Sequence, residues 1–182
     1  LRPPRPAALI DLNRIDSLAY IKERDGAVHF GSMTRQRTIE ISPVVRQRLP
    51  LLAEATRLVG HLPIRSRGTI GGSIAHADPS AEDPTVLCAL EGEVVVRGPR
   101  GERVVAASDL FRTYLPTSLA TDEILVEVRL PVMPAGAGYA FEEFSRRHGD
   151  FAIVGIAALI IGDGRRCTTA RRNCRSSSPR FR

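Results

Sequence analysis

No stretch of the 182 residues approaches the roughly 18 to 20 consecutive apolar positions that a helix needs to cross a bilayer, so no membrane span is expected. The three cysteines, at 88, 167 and 174, form no CxxC pair and match no zinc spacing. The four histidines (29, 61, 76 and 148) are scattered, without the i, i+4 pairing that sets two ligands on one helical face. No metal site is therefore expected. The GxGxxG fingerprint, the Walker pattern with its lysine and any internal repeat are also missing, as is a His, Cys or Ser constellation for nucleophilic catalysis. The opening "LRPPRPAALIDLNRI" lacks an initiator Met, and its apolar stretch is too short for a signal-peptide core; it reads as a chain entered in mid-sequence.

A net charge of +6 invites a nucleic-acid reading, but its distribution argues against one. Residues 162–182 hold seven arginines against one aspartate, so that residues 1–161 sum to zero. The basicity belongs to the tail. Tail charge would give salt-sensitive, sequence-blind affinity, yet no aromatic residues interleave it for base stacking. With few apolar residues to offset ordering entropy, residues 162–182 are expected to be disordered, and their Arg, Ser and Pro clusters read like a frame shift near Arg171.

What is present is a 43% hydrophobic, 25% charged chain of ordinary globular composition. "AALIDL" reads as a buried strand, and the alternating residues around Asp25-Gly26 read as a hairpin. From Thr34 to Gly60 the spacing turns helical, with "LPLLAEATRLVG" starting at Pro50 and stopping at Gly60. "DPTVLCALEG" predicts a short helix with Cys88 as a small buried thiol, and "EVVVRGPRGERVVAA" a second hairpin turning at Gly98 to Gly101. "SDLFRTYL" predicts a helix capped by Ser108; "EILVEVRLP" and "GYAFEEFSRR" read as strands, and "FAIVGIAALII" as a central one. Hairpins mixed with helices, without βαβ repeats, indicate an α+β fold.

The segment "RGTIGGSIAHADPSAEDP" carries the chemistry. On its own a Gly-Gly pair is equally a structural turn. As a run, Gly71 and Gly72 are positioned to present amides without a Cβ in the way, the arrangement that holds a pyrophosphate. Thr69 and Ser73 add hydroxyl donors, while Asp78, Glu82 and Asp83 offer acceptors for sugar hydroxyls.

That segment, with "GSMTRQRTIEIS" and "LPLLAEATRLVG" before it and "FEEFSRRHGDFAIVGIAAL" after it, resembles the FAD-binding medium subunits of the molybdenum hydroxylases, of the aerobic carbon monoxide dehydrogenase type. The resemblance covers about residues 7 to 170 in order and spacing. It implies a truncated α+β fold of the vanillyl-alcohol-oxidase (PCMH) type with an antiparallel sheet. The implied division is a remnant of an N-terminal FAD-binding subdomain (1–30), a middle FAD-binding subdomain (31–161) and the basic tail (162–182). It further implies that Thr69, Ile70, Gly71, Gly72 and Ser73 wrap the FAD diphosphate, that His76 and Glu82 lie beside the ribityl and phosphate groups, and that Leu125 offers backbone contacts. Phe151 stands where relatives usually carry a tyrosine near the isoalloxazine, keeping the stacking surface without the hydroxyl; a core aromatic is the alternative.

By the same resemblance, a molybdenum cofactor sits in a large partner subunit and 2Fe-2S clusters in a small one. FAD in this chain passes their electrons to an external acceptor, in a cytoplasmic dimer of heterotrimers near the inner face of the membrane. Family members carry a further "AGGQSL"-type glycine loop ahead of "ALIDLN" and a third subdomain beyond "FAIVGIAALII". A chain without both is expected to hold flavin with one wall only, or to persist as a docking module that holds none.

Overall fold

Asp25 and Gly26 both adopt positive φ, 52° and 75°, the backbone of a two-residue turn whose twist matches the strands it joins. They connect β1 (Ile21–Arg24) to β2 (Ala27–Gly31) as the sequence predicted. The computed structural model describes residues 6–111 and 116–162, and the backbone of 166–171. β3 (Glu93–Gly98) and β4 (Gly101–Ala106) form the second predicted hairpin, with Gly98 opposite Gly101. β5 (Ile124–Pro131) lies between the two hairpins, so the sheet runs β1-β2-β5-β3-β4, antiparallel throughout. The subdomain boundary expected between residues 30 and 31 falls inside β2, whose pairing with β5 makes the hairpin part of this one sheet.

The helical region is cut into pieces by its prolines. α1 (Gln36–Ile41) stops at Ser42, whose hydroxyl accepts from Val45 N–H to cap α2 (Pro43–Arg48). Pro50 then occupies the first turn of α3 (Pro50–Leu58), where a missing N–H costs nothing. α3 buries Leu51, Leu52 and Ala55, and the chain leaves it at Gly60. After α4 (Leu62–Arg65) come α5 (Ile70–His76) and α6 (Glu82–Ala89). Leu52, Ile74, Leu87, Val28, Phe30 and Val128 belong to one apolar core shared by helices and sheet. At roughly 25 cal/mol per Å² of apolar surface removed from water, such burial is the main term holding the helices to the sheet.

A second antiparallel sheet, β6 (Gly138–Phe144), β7 (Val154–Ile161) and β8 (Arg166–Arg171), packs on α3 and α6, with β7 in the middle as predicted. The expectation of disorder from residue 162 onward is thus corrected over 166–171, where β7 offers a free edge for backbone pairing that composition alone does not reveal. Residues 172–182, with the frame-shift reading, lie outside the described residues.

Two further expectations are corrected. Residues 8–12 form no strand, and Leu9 and Ile10 are 89% and 85% exposed; an apolar run becomes a strand only where a partner backbone receives it, and none of the described strands pairs with it. The helix predicted to start from a Ser108 cap corresponds, over its described part, to α7 (Ala107–Leu110), with Ser108 in its first turn and Ala106 at the cap, while residues 112–115 of the expected helix lie outside the described residues. Cys88 is only partly buried, on α6, and loss of solvation pushes its thiol up to about 11.

Candidate functional site

A bulge in the central sheet sets the site. Val95 pairs with Glu127 but Val96 with Leu125, so Val126 is left over, and its carbonyl accepts from Ser32 N–H at 3.0 Å. The Ser32 carbonyl in turn accepts from Gly71 N–H at 3.0 Å, and Thr34 C=O accepts from Ile70 N–H at 3.1 Å. Arg35 and Thr69 form an antiparallel bridge, and Gln36 N–H donates to Gly68 C=O. Residues 32–36 and 68–71 are thereby laced together. Gln36 extends the lacing to α6 by donating from Nε2 to Asp83 Oδ2 at 2.7 Å in a buried contact.

The glycine run is the start of a helix. Thr69 is the N-cap of α5, its Oγ1 accepting from Gly72 N–H at 3.1 Å, and Ser73 N–H donates to Thr69 C=O at 3.0 Å. The amides of residues 70, 71, 72 and 73 all have partners within the chain, which corrects the expectation of bare amides facing a ligand. The two glycines serve another end. A Cβ on Gly71 would meet Ser32 Cβ at 2.5 Å and Ser32 O at 2.6 Å, so Gly71 is what lets α5 lie against the β2–α1 junction. Asp83, expected as a sugar acceptor, is likewise buried in the Gln36 contact.

A cleft of about 750 Å³ opens along the outer side of α5. Of the predicted residues it gathers Thr69, Gly72, Ser73, His76, Glu82 and Phe151, together with Asp78. Ile70, Gly71 and Leu125 are buried behind this wall: Ile70 in the core, Gly71 against Ser32, Leu125 on β5 beside the bulge. α5 closes on Ala77, in the left-handed conformation at φ 55°, and His76 stands 70% exposed beside the cleft on the rim this creates. Asp78 Oδ1 accepts from Ser80 N–H at 2.7 Å, and the Ser80 hydroxyl donates to Ala152 C=O at 3.3 Å. Ala152 is buried, while the neighbouring Phe151 lines the cleft and is 75% exposed, which is not the burial of a core aromatic.

Sequence reasoning missed the cations and the apolar side of the wall. Arg35, Arg67 and Ile64 line the cleft, brought there by the lacing of distant segments. Arg35 Nη1 donates to Arg67 C=O and Nη2 to Asn13 Oδ1 at 2.7 Å, so among the described residues its charge faces neutral acceptors. The cleft therefore joins hydroxyls and guanidiniums at the Thr69 end to two carboxylates, an imidazole and an exposed aromatic ring at the other. That donor set suits a phosphate-bearing ligand with an aromatic head and a hydroxylated linker.

The family described as the FAD binding domain in molybdopterin dehydrogenase matches residues 1–133. The 6-hydroxypseudooxynicotine dehydrogenase complex subunit alpha of Paenarthrobacter nicotinovorans is 43% identical over 93% of this chain and 58% of its own length. The carbon monoxide dehydrogenase medium chain of Hydrogenophaga pseudoflava is 42% identical over 90% of this chain and 57% of its own. Among solved structures, the H. pseudoflava carbon monoxide dehydrogenase lacking the Mo-pyranopterin moiety superposes with a TM-score of 0.90 at 40% identity, over 93% of this chain and 60% of that one. Quinoline 2-oxidoreductase from Pseudomonas putida 86 gives 0.83 at 35%, over 90% and 56%. The chain thus spans a little over half the length of these relatives.

Proposed function

Because the chain belongs to the family of FAD-binding domains in molybdopterin dehydrogenases, we propose that the α5 cleft is one wall of a flavin site in an electron-transferring oxidoreductase subunit. The observation that carries this reading is the convergence of Thr69, Ser73, His76, Glu82 and Phe151 on a single cleft. FAD, when bound, supplies the capacity to take up a pair of electrons and release them to an acceptor. The chain's own part is to bind and orient. Thr69 Oγ1 already accepts from Gly72, which leaves its O–H to donate toward a phosphate oxygen, and Ser73 adds a second hydroxyl. Glu82 and Asp78 supply acceptors for a hydroxylated linker, and the Phe151 ring a flat apolar surface for an aromatic head.

On this reading the chain works with a molybdenum-binding large subunit and an iron–sulfur small subunit in a cytoplasmic dimer of heterotrimers, and electrons reach an external acceptor through the flavin. The carbon monoxide dehydrogenase-like medium subunits are the type it follows. No helix among the described residues is long and apolar enough to cross a membrane.

One observation favours a second reading, in which the chain folds but holds no flavin and serves as a docking module: the amides of residues 70–73 are already satisfied internally. Titration of the full chain with FAD, followed by flavin fluorescence and by its visible absorption band, separates the two. Saturable quenching that weakens in Ser73→Ala and Phe151→Ala supports the flavin site. A chain that unfolds cooperatively yet stays colourless at high FAD supports the docking module.

A further inference from the structure

The loop that joins β6 to β7, residues 145–153, rests on two other parts of the cleft wall. On one side His148 meets His61, at the corner between α3 and α4, with ring centroids 6.0 Å apart and planes tilted by 60°. Gly149 seats the loop backbone on the same ring: at φ 86°, a Cβ there would lie 2.4 Å from His61 Cε1 and 2.7 Å from its Nε2. On the other side the Ser80 hydroxyl, in the turn between α5 and α6, donates to Ala152 C=O at 3.3 Å. Both supports border the cleft, the first through Val59 and Ile64, the second through Asp78 and Ala81. Phe151, between Gly149 and Ala152 in sequence, lines it as well.

The loop buries little of its own. Phe151 is exposed, as are Phe144 and Ile153 at its two ends. Its backbone bonds close on the hairpin itself, Asp150 N–H donating to Arg147 C=O and Ile153 N–H to Phe144 C=O. A segment with few buried contacts opens locally at low free energy, so the two supports decide how long it stays closed.

We propose that this loop is a lid over the cleft, fastened by His61 and by Ser80, and that gain of a second proton by the His61–His148 pair loosens the first fastening. What the lid covers follows from the flavin reading; how it is fastened does not. Imidazole is the side chain that changes charge between about pH 5 and 8. Two neutral rings, or one neutral and one charged, stay in contact, whereas two charged rings repel. The charged groups on the elements that meet here are Arg146, Arg147 and Asp150 on the loop, Arg57 in the last turn of α3, and Arg65 on α4, which Glu40 engages. Across the α5–α6 turn, Asp78 Oδ2 lies 3.9 Å from His76 Nε2. Positive charge is thus in surplus, and two further unit charges 6.0 Å apart shift an equilibrium in water by about threefold.

The test follows hydrogen exchange of the Asp150 and Ile153 amides in the full chain without flavin, corrected for intrinsic exchange, at about pH 8 and about pH 5.5. FAD is titrated at the same two values. His148→Phe keeps a ring without the proton, His148→Ala removes the ring, and Ser80→Ala removes the hydroxyl; an unchanged thermal midpoint confirms that each folds. In the unaltered chain, acid is expected to lower the protection of both amides and the FAD affinity by about threefold or more. His148→Phe should hold both at either pH, while His148→Ala and Ser80→Ala lower both already at the higher one. An acid response missing from the unaltered chain, or undiminished in His148→Phe and so traced to another group such as His76, overturns the histidine fastening. Unaltered exchange in Ser80→Ala overturns the second fastening. Exchange that responds as expected while FAD affinity stays constant overturns the lid and leaves the flavin cleft standing. If exchange responds but FAD binds at neither pH, the flavin reading fails and the fastened loop stands.

Discussion

Gly71 lies so close to Ser32 that a Cβ added to it would fall 2.5 Å from the Ser32 Cβ and 2.6 Å from the Ser32 carbonyl oxygen, the same oxygen that accepts from Gly71 N–H. Backbone cannot withdraw there without breaking that bond. Gly71→Ala is therefore expected to cost about 1–3 kcal/mol by overpacking. Gly72→Ala, whose Cβ would meet only the Thr69 Oγ1 at 2.9 Å, is expected to cost less, since a helical glycine gains up to about 1 kcal/mol on becoming alanine. Denaturant unfolding of the two variants checks the order, and Gly72→Ala proving the worse would overturn it.

Thr69 holds the first turn of α5 through its bond to Gly72 N–H. Thr69→Ala should lower stability by about 1 kcal/mol and Thr69→Ser by much less, because serine keeps the accepting oxygen. Equal losses from both would show that the cap contributes through its methyl contacts instead.

Glu127 is buried on β5 and accepts from Tyr20, Arg24 and Arg129, with His29 Nδ1 at 3.2 Å. Burial works against its charge, but the hydrogen bonds from Tyr20, Arg129 and His29 and the Arg129 charge outweigh it and bring the carboxyl to about 2, from a usual value of 4.5. A folded-state value below the unfolded one means that the stabilisation is complete above about pH 4.5 and drains away as pH falls from there toward 2. Glu127→Gln should cost about 1.5–3 kcal/mol at neutral pH and flatten the acid limb of the stability curve. Unfolding midpoints measured across the acid range read both effects, and an acid limb of unchanged slope would refute the assignment.

Phe151 is exposed and contributes little packing, so Phe151→Ala should change unfolding free energy by within about 0.5 kcal/mol while weakening flavin binding. Phe151→Tyr should keep the affinity. A large stability loss with unaltered flavin titration would place the ring in a packing role.

Much of the element order was legible because it rests on local chemistry. Asp25-Gly26 accepts the positive φ of a tight hairpin, Pro50 fits a helical first turn, and Gly98 to Gly101 turns the second hairpin. The glycine segment was legible as distinctive but not in its geometry, since nothing in "TIGGS" says that it lines a cleft or that Ser32 and Thr34 will take the amides of Gly71 and Ile70. Arg35 and Arg67 were invisible for the same reason. They reach the cleft through pairing between segments more than thirty residues apart in sequence, about which a local pattern carries no signal.

Residues 8–12 and 166–171 mark the limit from the other side. The first has the composition of a strand and lies exposed, while the second has the composition of a tail and pairs with β7. By itself the sequence determined where turns, caps and apolar stripes fall, because each depends on the φ, the donors and the volume of a few adjacent residues. Only the tertiary structure decided which backbone groups are already paired and which cations face the cleft. A hydrogen bond or a charge acts over a few ångströms of space, whatever the number of residues between its partners.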